Sequence, residues 1–244
     1  MTEKTPKTDL YTFVHKAHRA RLFALSGEIG RADFSDPADV ERVAAGLKDV
    51  IDHLREHSSI EEKYIHPLYE KIGDVAEEFE AEHQLLEQEI ESLEAIASEA
   101  RWGELHRAYN GFLGRYLVHL QEEEEAQEQI LWPNDHGEMA ETFARFQRER
   151  APEKLRSDLE MFLPALSAPE LTGMFTGMKL HAPTYVFEFA QGLAAQMTPP
   201  EIWAKVKVAL AKVEKPVEKP DDTSAAKSVD APAAAPIAPP IAER

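Results

Sequence analysis

The chain has 244 residues, 43% hydrophobic and 30% charged, the balance of a soluble globular protein of one or two domains. Its formal net charge of -18 disfavours phosphate backbones and anionic lipid as partners and makes cations the natural ligands. It contains no cysteine, which excludes disulfides and thiolate chemistry and leaves histidine and carboxylate as the side chains that can hold a metal.

The hydrophobic pattern predicts helix through most of the chain. The first runs from about Asp9 to Ile29, with Tyr11, His15, His18, Leu22, Leu25 and Ile29 spaced by fours and threes on one face. Asp36 caps the second, with Pro37 at its first position. Its inner face reads Val43, Leu47, Val50, Leu54, His57, Glu61 and Tyr64 or Ile65, before Pro67 and Gly73 break it. The third runs from about Asp74 to Ala100 on Ala76, Phe79, His83, Leu86, Ile90, Leu93 and Ala97. The fourth begins after Gly103, carries Leu105, Tyr109, Phe112, Tyr116, His119, Glu123 and Ile130, and ends at Pro133.

Four long amphipathic helices joined by short polar breaks imply an all-α fold, an antiparallel four-helix bundle over residues 8–135. A smaller helical region is expected over 136–211, with helix starts near Met139, Pro152, Ala168, Pro183 and Pro199. From Lys212 onward Pro, Ala, Lys, Asp and Ser dominate, so 212–244 is expected to be a disordered tail. No apolar run reaches membrane-spanning length and the first residues lack an apolar signal core, so the expected compartment is the cytoplasm.

Each bundle helix carries a histidine on its own apolar stripe: His15, His57, His83 and His119. Two lead to a glutamate four residues later, His57 to Glu61 and His119 to Glu123, which puts each pair on one helix face. Two buried glutamates facing each other are costly unless cations sit between them, and His/carboxylate sets in bundles suit iron. His18 rivals His15 as the first-helix ligand, and His53 also lies near an inner face. Glu62 and Glu87 are weaker candidates, and Glu124 would replace Glu123 if the spacing from His119 were five. His66, His106, His136 and His181 read as surface or turn residues. Leu54, Phe79, Phe112 and Tyr116 read as an apolar wall, with Tyr64 and Tyr116 packing rather than bonding. The segment from His119 to Pro133 exceeds that from His57 to Pro67 by four residues, about one turn, in an otherwise twofold pattern.

These residues carry a resemblance. His15-Lys16-Ala17, His57 with Glu61-Glu62 and Pro67, Glu82-His83, and His119 with Glu122-Glu123-Glu124 and Leu131-Trp132 resemble the hemerythrin-like, HHE cation-binding proteins over about residues 10–135. The stretch from Met161 to Ser167 looks like the C-terminal extension of some bacterial members. The resemblance implies two non-haem iron ions, bridged by carboxylates and an oxo or hydroxo group. It implies ligation by His15, His57, Glu61, His83, His119 and Glu123. The chain departs from the oxygen carriers of the family, which place two histidines four apart on the third helix, whereas His83 lies between Phe79 and Glu87. The carriers also follow the last histidine with Asp at five, whereas His119 leads to Glu123.

The leading expectation is a di-iron protein that binds or senses oxygen, nitric oxide or peroxide, with no nucleic acid or membrane partner. The alternatives are a di-iron oxidase, peroxidase or nitric oxide reductase, and a metal-free acidic interaction module.

Overall fold

A computed structural model describes residues 7–213; the tail expected over 212–244 lies outside them beyond Val213. Every regular element among the described residues is helical. They divide into two compact units, Tyr11–Met139, and residues 140–213 together with 7–10.

The first unit is built on four long helices: α1 (Thr12–Arg31), α2 (Pro37–Tyr64), then after the single turn α3 (His66–Tyr69) the long α4 (Val75–Ser98) and α5 (Trp102–Ala126). Each packs on two others, α1 on α2, α2 on α4, α4 on α5 and α5 on α1, so the four close into a ring. Short connections between successive members make them antiparallel. The closed ring encloses Leu22, Leu25, Ile29, Val43, Leu47, Val50, Leu54, Leu86, Ile90, Leu93, Leu105, Tyr109 and Phe112. The Tyr109 hydroxyl donates to the Leu22 carbonyl at 3.1 Å, tying α5 to α1 across the core.

The helix boundaries follow from local chemistry. Asp36 accepts the Ala38 amide at 2.9 Å, the cap that its position before Pro37 suggests. Arg101 N–H bonds Ile96 O and Ala100 N–H bonds Ala97 O, which closes α4 as a Schellman motif. That motif needs a left-handed residue, and here Ala100 takes it at φ 54°.

The fourth helix differs from expectation. The four extra residues before Pro133 do not lengthen an α-helix. α5 passes at Gln127–Leu131 into π-helix, and Trp132–Asn134 (α6) returns to α. A π turn bonds each residue to the fifth along rather than the fourth, and so accommodates an inserted residue within the helix.

The second unit contains most of α7 (Glu138–Glu149), then α8 (Leu155–Phe162), α9 (Ala168–His181), α10 (Thr184–Met197) and α11 (Pro200–Leu210). The Ser167 amide donates to Glu170 at 2.8 Å at the start of α9. Phe175 lies at the centre, its ring 5.1 Å from Trp203 and 6.3 Å from Phe187. Lys179 donates to the carbonyls of Leu210 and Val213, closing the end of α11. The polar residues buried in this unit are Gln147 and Thr198, neither ionisable. No described helix is long and apolar enough to cross a membrane.

Ala100 gives a test of the α4 terminus. Replacing it with glycine removes the Cβ penalty of the left-handed conformation, so Ala100→Gly should stabilise the chain by about 1 kcal/mol in chemical denaturation. Ala100→Val should destabilise it by a similar amount.

Candidate metal centre

The bundle core changes character towards one end. Below the leucine layers, α1 contributes His15 and His18, α2 contributes His57 and Glu61, α4 contributes His83, and α5 contributes His119 and Glu123. All are buried, and Glu61 and Glu123 are 1% and 0% exposed. Helical phase explains the placement: each lies three or four residues from an apolar core residue on its own helix.

The two glutamates lie between two pairs of histidines. Glu61 Oε1 lies 3.0 Å from His57 Nε2 and 3.7 Å from His15 Nε2, while its Oε2 faces His83 Nε2 at 3.5 Å. Glu123 mirrors it: Oε2 lies 3.4 Å from His15 Nε2, and Oε1 lies 3.5 Å from His119 Nε2 and 3.7 Å from His83 Nε2. Two compact sets result, His15–His57–Glu61–Glu123 and His83–His119–Glu61–Glu123, each with donor atoms within 4.8 Å of one another. Both glutamates belong to both sets.

These atoms do not satisfy one another. The four inner Nε2 atoms and all four carboxylate oxygens have no aligned hydrogen-bond partner. Buried polar groups are rarely left so, and eight that converge on one space form an arrangement that cations would satisfy. The donor chemistry, imidazole with carboxylate, fits a transition-metal cation.

Protonation follows from position. Burial disfavours charge on every ring, but the hydrogen bond to Glu124 and the nearby carboxylates of Glu61 and Glu123 raise His15 to about 9. His83 is likewise raised to about 10, against its burial, by Glu123 and Glu61. His57 falls to about 3 because burial, with the neighbouring imidazoles, outweighs the pull of Glu61. Burial also lowers His119. Burial and the proximity of Glu61 push Glu123 up, while the surrounding imidazoles hold Glu61 well below the usual range in spite of its burial.

A second layer holds the imidazoles from behind. His15 Nδ1 is paired with Glu124 at 2.9 Å, His83 Nδ1 with Glu62 at 3.3 Å, and His119 Nδ1 with Glu82 at 2.8 Å. A carboxylate on the outer ring nitrogen fixes ring orientation and leaves Nε2 free to act as a ligand. Glu124 is itself held by both Arg19 nitrogens, at 2.6 and 3.1 Å. Two of the three pairs cross between the bundle's halves, α5 backing the histidine of α1 and α2 that of α4, while α4 backs the histidine of its neighbour α5.

The structure thus brings together His15, His57, Glu61, His83, His119 and Glu123. It favours His15 over His18, which lies outside both sets with its ring 4.5 Å from that of His57. Glu87 is turned away, paired with Arg55 at 2.6 Å. His53 bonds the Asp49 carbonyl on its own helix. His66 is not a surface residue: it is 4% exposed and stacks on His83 at 5.4 Å. The wall is also more polar than its leucine and phenylalanine suggest, since the Tyr11, Tyr69 and Tyr116 hydroxyls are buried, and burial with the charges of Glu61 and Glu123 raises all three. The sequence offered Glu62 and Glu124 as alternative ligands and Glu82 only as the residue before His83; in the structure each of the three backs an imidazole.

A surface groove of about 580 Å³ between α4 and α5 is lined by Glu82, Leu85, Val118, Glu122 and His119 among others.

A family model, the hemerythrin HHE cation binding domain, matches residues 7–131. No curated protein and no solved structure matches the chain. The match takes in α1 through the π-helical turn and contains every histidine and glutamate of both sets. The chain belongs to the hemerythrin HHE cation-binding family.

Proposed function

We propose that the protein is a non-haem di-iron protein that binds or senses oxygen, nitric oxide or peroxide. His15 and His57 would hold one iron and His83 and His119 the other, with Glu61 and Glu123 contributing to both. The observation that carries this reading is the division of both carboxylates between the two histidine pairs, with eight donor atoms otherwise unsatisfied. When bound, the irons supply the capacity to bind and reduce a small oxidant. The chain's own groups do the rest. Glu62, Glu82 and Glu124 hold their imidazoles in orientation, and the bundle core excludes bulk water.

Protein produced in iron-supplied cells is expected to carry about two irons per chain, as the two donor sets require. Near-ultraviolet charge-transfer bands should shift on adding azide. Glu61→Ala should leave less than one iron per chain, because both sets lose a donor. Glu82→Ala should keep the site but weaken metal binding by about 10- to 100-fold. A chain that binds no iron, with helicity and melting unchanged by ferrous ion, would leave the acidic interaction module as the working function.

Proton release gives an independent check. Imidazole must be neutral to ligate, and at pH 7 the raised His15 and His83 hold protons while His57 does not. Adding ferrous ion to the metal-free chain in weak buffer should release about two protons per chain. The apparent affinity should rise with pH until these groups titrate, near 9 and 10. Release of no protons would contradict ligation by His15 and His83.

A further inference from the structure

The outer carboxylates differ in what lies behind them. His15 Nδ1 is paired with Glu124 at 2.9 Å, and both oxygens of Glu124 accept from the Arg19 guanidinium, at 2.6 and 3.1 Å. Arg19 stands four residues after His15, one turn along the same face of α1. This ion pair is largely shielded, with Arg19 27% and Glu124 31% exposed. Glu62 backs His83 and Glu82 backs His119, and neither pairs with an arginine or lysine among the described residues. His57 meets a carboxylate only through Nε2, at Glu61.

The charge behind the two donor sets is therefore unequal. Glu124 and Arg19 cancel, whereas Glu62 and Glu82 leave two negative charges behind the His83–His119 set. Arginine stays protonated at any working pH, so the cancellation is permanent. Glu62 and Glu82 are 49% and 37% exposed, and solvent screening shrinks the contrast without reversing its sign. A carboxylate on the outer nitrogen also makes an imidazole a stronger donor, and a bidentate arginine on that carboxylate weakens the effect. Both effects favour the more positive ion at the His83–His119 set.

We propose that Arg19 is a positioning residue that sets the order of reduction, so that the His15–His57 position takes the first electron and the His83–His119 position keeps the higher oxidation state. The proposal rests on the di-iron reading above and adds a redox polarity to it. Each step transfers one electron from an external reductant to one ferric ion, which becomes ferrous, and makes or breaks no bond in the chain.

The test uses full-length wild type, Arg19→Gln, Arg19→Lys and Glu82→Gln, loaded with iron and oxidised. Each is reduced stepwise with dithionite at controlled potential, and the half-reduced samples are examined by electron paramagnetic resonance for a ferric–ferrous pair. Iron content and melting are measured on every sample. Wild type should reduce in two separate one-electron steps. Arg19→Gln should make the first step about tenfold or more less favourable, about 59 mV lower in potential, and leave the second within about twofold. Arg19→Lys keeps the charge and should recover most of that shift. Glu82→Gln should raise the second potential alone, so both neutral variants should show less of the half-reduced signal. An unchanged first step in Arg19→Gln at full iron content overturns the proposal. So does an equal shift of both steps, or a wild type that takes both electrons in one step. If Arg19→Gln loses iron, Glu82→Gln decides: a raised second step upholds the order, and a raised first step or no shift overturns it. A wild type without iron instead defeats the di-iron reading beneath it, and the iron assay tells these results apart.

Discussion

Two carboxylates buried side by side set the terms for the rest of the bundle. Glu61 and Glu123 lie about as far from water as Leu22 or Phe112, and without compensation each would cost several kcal/mol. Histidines from all four long helices converge on them. His15 and His83 answer with raised proton affinity, whereas His57 is held neutral. Protonated imidazoles offset part of the charge, but they leave the inner nitrogens and oxygens unaligned. A cation shared by each set satisfies them more completely, which is why the bundle reads as a metal holder rather than as a core with stray polar groups.

The carboxylates behind the imidazoles give the arrangement stiffness. Glu124 is gripped by Arg19 and in turn steers His15, and Glu82 steers His119 from the rim of the groove. The acidity counted in the composition is therefore partly structural around the site. Elsewhere it is spent on ordinary surface pairs such as Arg55 with Glu87 and Glu94, whose worth is small.

Helical periodicity made the bundle readable because a 3.6-residue repeat over long helices leaves little freedom in which face is buried. The same phase put His15, His57, Glu61, His83, His119 and Glu123 on inner faces and left His18 open beside His15. What periodicity could not show is where the chain departs from a regular helix. His66 read as a turn residue because Pro67 follows it, yet α3 folds that turn back under His83 and buries it. The π turn after Glu123 was invisible because an insertion of four residues looks like one ordinary turn. Partners across the bundle were also beyond reach: nothing in the spacing says that Glu124 meets a residue 109 positions earlier.

The two donor sets draw on different lengths of chain. The set of His83 and His119 is contained between Glu61 and Glu123, on α2, α4 and α5. The set of His15 and His57 also needs α1, and His15 stands only three residues inside the start of that helix. Helix ends open first in native-state fluctuations. Fraying of the first turn of α1 would carry off one imidazole and release Glu124 from it, while the other set kept all four of its donors. The two positions thus need not have equal residence times, and exchange with solvent can proceed at one while its neighbour stays closed.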